Sequence, residues 1–179
     1  MTSKRTVRLI GLTLAAALLA ACGGGPAPAP RPARPFVLPS TAVTALSPAI
    51  YMQIASTSSL FAVRASELAA IRAGDGRIRS AAQAIVRDQN GVAAQLSFAG
   101  RRLELLPGAS LTDAQAAELE RLRLSSDFDS DYRRAVGGEL ARALEAHQAF
   151  ARSGASPTLR PVAEMAAPVT RRNLDSLRR

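Results

Sequence analysis

The side chains that most often carry chemistry are scarce in this chain, which has one histidine, His147, and one cysteine, Cys22. A catalytic thiol needs a neighbouring base and a folded pocket, and Cys22 has the sequence setting of neither. It closes Leu19-Ala20-Ala21-Cys22, at the end of an apolar run that follows Lys4, Arg5 and Arg8. A charged start, a short hydrophobic stretch and small residues before a cleavage point make a secretory signal. The run is about fifteen residues long, short of the ~20 that a membrane span requires. The cysteine stands where a bacterial lipoprotein signal peptidase would cut, so the expected chemistry of Cys22 is lipidation. A lone cysteine also excludes an internal disulfide, and the folded part must hold together by packing.

His147 is the one candidate ligand or general base. Glu145 precedes it by two residues, which puts the pair on different faces of a helix. A di-iron bundle needs glutamates from two helices and a Glu-x-x-His pair from each of two others. Glu67, Asp88, Glu139 and Glu164 are the remaining mid-helix acids, and none begins that motif. No metal or cofactor is therefore expected. The bland role for His147 is a histidine at the edge of the core, bonded to a backbone carbonyl or a carboxylate. No Gly-x-Ser-x-Gly elbow occurs, so no catalytic residue is assigned and the chain reads as a non-enzyme. Gly137-Gly138 lies inside a helical pattern. It is read as close helix approach or local weakening, at about 1 kcal/mol per glycine.

These residues must be positioned by helices. The chain from residue 47 on is rich in Ala, Leu and Arg, with no tryptophan and few β-branched runs, which favours an all-α domain. Ser47-Pro48 offers an N-cap and a first-turn proline, and Ile50, Ile54, Phe61, Leu68 and Ile71 suggest the buried stripe of a first helix ending at Gly74-Asp75-Gly76. The second carries Ile78, Ala82, Ile85, Gln89, Val92, Leu96, Ala99 and Leu103 on one face and stops before Pro107-Gly108. Thr112 and Gln115 form a capping-box pattern for a short helix bearing Leu119 and Leu122. A third long helix from about Asp127 aligns Phe128, Tyr132, Val136, Leu140, Ala143, His147 and Phe150, with Gly154 as its C-cap. Ser156-Pro157 begins a fourth with Leu159, Val162, Ala166, Val169, Asn173 and Leu177, and Pro168 should kink it. The expectation is a four-helix bundle with a short extra helix in the crossover between helices 2 and 3.

Three segments result: a signal peptide over 1–21, a lipidated cysteine with a linker over 22–46, and the helical domain over 47–179. In the linker Pro26, Pro28, Pro30, Pro32 and Pro35 favour a stiff polyproline spacer. Removal of the signal leaves 20 arginines and no lysine against 14 acids, about +6. Guanidinium binds phosphate bidentately, so anionic envelope components are candidate partners beside the membrane reached through the lipid. High GC content is the plainer account of arginine in place of lysine. Export and the lack of interleaved aromatics argue against nucleic acid.

Four stretches carry a resemblance. Ser59-Leu60-Phe61-Ala62-Val63, Ala84-Ile85-Val86-Arg87-Asp88-Gln89, Phe128-Asp129-Ser130-Asp131-Tyr132 and Ser153-Gly154-Ala155-Ser156-Pro157-Thr158-Leu159-Arg160, followed by Pro168, resemble the domain of unknown function 4142 family over roughly residues 50–177. That resemblance implies an exported, ferritin-like helical bundle and brings no established reaction. It also implies three inward histidines, and this chain has Gln89, Leu140 and Asn173 in their places. Gln89 and Asn173 are then expected to form a polar core layer and to bond to each other, to backbone or to water. Gly23 after the cysteine resembles lipoproteins that are passed on to the outer membrane.

Two functions follow as expectations. The first is a non-enzymatic envelope lipoprotein at the periplasmic side of the outer membrane, whose bundle binds a partner that the residues do not name or serves structurally. The second is a ferritin-like metal or small-ligand binder using Gln89, Asn173, His147 and nearby acids.

Overall fold

Capping signals and apolar periodicity set the element boundaries. The computed structural model describes residues 46–179, in five helices, α1 (Pro48–Arg72), α2 (Gly76–Leu103), α3 (Asp113–Leu124), α4 (Phe128–Ser153) and α5 (Arg160–Arg178), with no strand among the described residues. Cys22 and the linker lie outside them. Ser47 Oγ accepts the Ile50 amide at 3.2 Å to start α1, and Asp75 accepts the Arg77 amide at 2.7 Å to start α2, each satisfying an otherwise orphaned donor. Thr112 and Gln115 complete the capping box of α3. The fourth long helix starts at Arg160, three residues after Pro157; residues 157–159 form a turn instead.

Helix α1 packs on α2 and α4, and α5 packs on α2 and α4, so the four long helices close a ring. Tyr51 pairs with His147, Ser58 with Glu139 and Ser66 with Tyr132, which makes α1 and α4 antiparallel. The tight turn between α1 and α2 lies beside the start of α4, where the Asp129 carboxylate accepts the amides of Gly74 at 3.1 Å and Asp75 at 2.8 Å. Helix α2 therefore ends opposite to where α4 begins. Residues 104–127 must travel the length of the ring, and α3 is the part of that passage that packs on α1 and α4. Gly100 permits the reversal, because a Cβ there would meet the Leu105 carbonyl oxygen at 2.3 Å, while Glu104 takes the left-handed φ of 56°. Arg72 fixes the far end: it donates to the carbonyls of Leu122 at 2.9 Å and Ser125 at 3.0 Å. Its guanidinium also lies 4.7 Å from the Phe128 ring centroid.

The interior has two apolar halves. One gathers Phe61, Ile85, Phe128, Val136, Leu140 and Leu174; the other gathers Tyr51, Met52, Val92, Leu96, Phe150 and Leu159. The stripes expected on α2 and α4 face inward as expected. That of α1 does not: Ile50 is 53 % and Ile71 85 % exposed, and of the five stripe residues only Phe61 is buried. The inward face of α1 is instead Tyr51, Ala55, Ser59, Ala62, Ser66 and Ala69. Small side chains let α1 approach two neighbours closely, and the bulky isoleucines are left outside.

Candidate functional site

A belt of polar side chains separates the two apolar halves. Ser59 Oγ on α1 donates to Gln89 Oε1 on α2 at 3.0 Å. Gln89 Nε2 donates to Asn173 Oδ1 on α5 at 2.9 Å, and Asn173 Nδ2 donates to the Asp88 carboxylate at 2.6 Å. Every donor in this chain points toward the carboxylate, so each bond polarises the next. Gln89 and Asn173 are buried. Neither amide titrates or acts as a nucleophile, and the bonds use one donor and one acceptor site of each, half of its capacity. The belt can therefore set the register of three helices; it offers little to a ligand.

A second polar node pins the crossover. The Glu139 carboxylate on α4 accepts from Ser58 Oγ on α1 at 3.0 Å, and also from Gln115 of α3 and Arg142. Gln115 also closes the capping box, so one side chain both starts α3 and holds it to the ring.

His147 lies apart from the belt. Tyr51, which contacts His147, is eight residues before the belt's Ser59 on α1, so His147 is about 12 Å along the axis from the belt. Gln89, Asn173 and His147 do not form one site. The Tyr51 hydroxyl lies 3.0 Å from His147 Nδ1, the Tyr51 ring stacks on Phe150 with centroids 4.2 Å apart, and His147 is fully buried. This corrects the expected core-edge histidine bonded to a carbonyl or carboxylate: its partner is a phenol in the apolar half. Burial lowers its pKa to about 4 and raises that of Tyr51. The phenol thus stays protonated, the tautomer decides which of the phenol and Nδ1 donates in that bond, and the other ring nitrogen is Nε2. That nitrogen and Thr170 Oγ1 are the two buried side-chain polar atoms without a partner among the described residues. No group of three or more His, Cys, Asp or Glu side chains placed to hold a metal occurs among them.

Gly137-Gly138 departs from the expected close approach. A Cβ at Gly138 would meet nothing within 4 Å, and one at Gly137 only Leu174 Cδ1 at 3.9 Å. Each glycine still weakens the helix by about 1 kcal/mol relative to alanine.

The family described as Domain of unknown function (DUF4142) matches residues 37–179. The chain belongs to this family. No curated protein and no solved structure matches it. In this DUF4142 member no helix among the described residues is long and apolar enough to cross a membrane. Ser59, Ser58 and Tyr51 were not among the candidate residues of the sequence. Their signal was the seven-residue spacing of Ser59 and Ser66 within the Ala/Ser face of α1, which the isoleucines of the neighbouring face obscured.

Proposed function

We propose that the chain is a non-enzymatic lipoprotein of the bacterial envelope, held by lipid on Cys22 at the periplasmic face of the outer membrane. Its helical domain is a ferritin-like four-helix bundle, with α3 in the crossover, that works as a binding or structural module. The observation that carries this reading is the belt, whose amides and carboxylate are engaged with one another where reactive side chains would have to stand. The anchor rests on Leu19-Ala20-Ala21-Cys22 and the apolar run before it. Labelling bacteria that express the full chain with an alkyne palmitate tests it. The expected result is a labelled protein in the membrane fraction and loss of label in Cys22→Ser; label that persists in Cys22→Ser would overturn the anchor.

A second reading, a reduced metal or small-ligand site, draws on the unpartnered His147 Nε2 and Thr170 Oγ1. Stoichiometric iron, manganese or zinc in the purified full chain would favour it over the first.

A further inference from the structure

We propose that the groove between α4 and α5, at the end where α4 begins, binds a phosphate group attached to an apolar moiety. The groove has a volume of about 400 Å³. Arg133 and Arg134 from α4 and Arg178 from α5 line it, Ser130 adds a hydroxyl, and no carboxylate is among its lining residues. Acids meet these guanidiniums outside the groove: Asp75 is 3.2 Å from Arg133, Asp131 2.8 Å and Glu118 3.6 Å from Arg134, and Asp175 3.9 Å from Arg178. Such exposed pairs bind weakly, and a guanidinium has five N–H donors, so most of the donors remain for another acceptor. Planar guanidinium forks match phosphate oxygens two at a time.

The glycine pair is an independent observation. Gly137 and Gly138 form part of the groove wall, next to the buried side chains of Leu174 and Leu177. Neither glycine is demanded by packing, since a Cβ at either would touch at most one leucine methyl at ordinary distance. A methyl at Gly137 would instead stand against Leu174 on the groove wall. Missing side chains there keep open an apolar surface beside three cationic groups, which selects a phosphate ester with hydrocarbon attached over a free ion.

This deepens the binding-module reading by naming the ligand class, and it does not require the lipid anchor. Lipid headgroups and soluble alkyl phosphates share the chemistry. The full chain in neutral detergent is titrated with butyl phosphate, followed by phosphorus NMR, and full chain is sedimented with phosphatidylcholine vesicles with and without phosphatidic acid. Saturable binding of butyl phosphate is expected, with inorganic phosphate weaker. Arg133→Gln and Arg178→Gln should each weaken it at least about fivefold, whereas Arg64→Gln, an exposed arginine of α1 outside the groove, should leave it unchanged. Gly137→Ala should raise the melting temperature while weakening binding. Sedimentation greater with phosphatidic acid than without it, the excess lost in the Arg133→Gln/Arg178→Gln double variant, assigns a membrane source. Binding of butyl phosphate without such sedimentation assigns a free ester. No saturable binding of either probe, or equal loss in Arg64→Gln, would overturn the proposal, whatever palmitate labelling shows.

Discussion

The belt across the ring and the groove between α4 and α5 are both polar, yet they differ in what remains unused. In the belt Ser59, Gln89, Asn173 and Asp88 bond in sequence. In the groove Arg133, Arg134 and Arg178 each face acids that occupy a fraction of their donors. A polar group recognises a ligand only with capacity its own fold has not taken up. By that measure the interior of this molecule supplies cohesion, and the proposed recognition site lies at the surface. His147 stands between the two cases, with one nitrogen on Tyr51 and the other unpartnered in the apolar half.

That intermediate case gives the largest expected effect. Above the unfolded histidine value of 6.5 neither state takes up a proton and stability is complete. As pH falls from 6.5 toward the folded value of about 4, the unfolded chain protonates while buried His147 does not. Stability should drop by up to about 3 kcal/mol across this window. Urea unfolding at a series of pH values checks it, and His147→Leu should flatten the part of the curve above pH 5, where carboxylates contribute least. A curve of unchanged slope in that variant would mean that His147 is not buried as neutral imidazole. A smaller effect is expected at the Glu139 node. Glu139→Ala leaves Gln115 and Ser58 without their shared acceptor and should destabilise by about 1 to 2 kcal/mol, with faster hydrogen exchange concentrated in α3. Uniform exchange changes would show that the node does not hold the crossover in particular.

How far the residues foretold this architecture varies by helix. On α2 and α4 large apolar side chains recur at helical spacing and all face the core, so pattern and structure agree. On α1 the buried face is mostly Ala and Ser, with Tyr51, Met52, Phe61 and Val63 among them, and of the stripe expected from hydrophobicity it shares only Phe61. Close helix packing, which rewards small residues, outweighs burial of isoleucine there. The Thr112 capping box was legible because its partners are three residues apart. Glu139 meeting Ser58 and Gln115 joins three helices, and no local spacing encodes it. Gln89 and Asn173 stood out as amides on apolar stripes, whereas the ring geometry alone shows that His147 is distant from both. Likewise, the sequence of Gly137-Gly138 fits close helix approach or local weakening equally, and only the open space around the pair separates the two.

The central claim is that the belt amides serve each other. A double-mutant cycle of Gln89→Leu and Asn173→Leu, read by urea unfolding of the full chain, tests it most directly. Each single variant strands a buried amide and should lose about 2 kcal/mol, and the double variant should lose clearly less than the two losses added together, because neither amide is then left unpaired. Strict additivity, or singles without effect, would contradict the account.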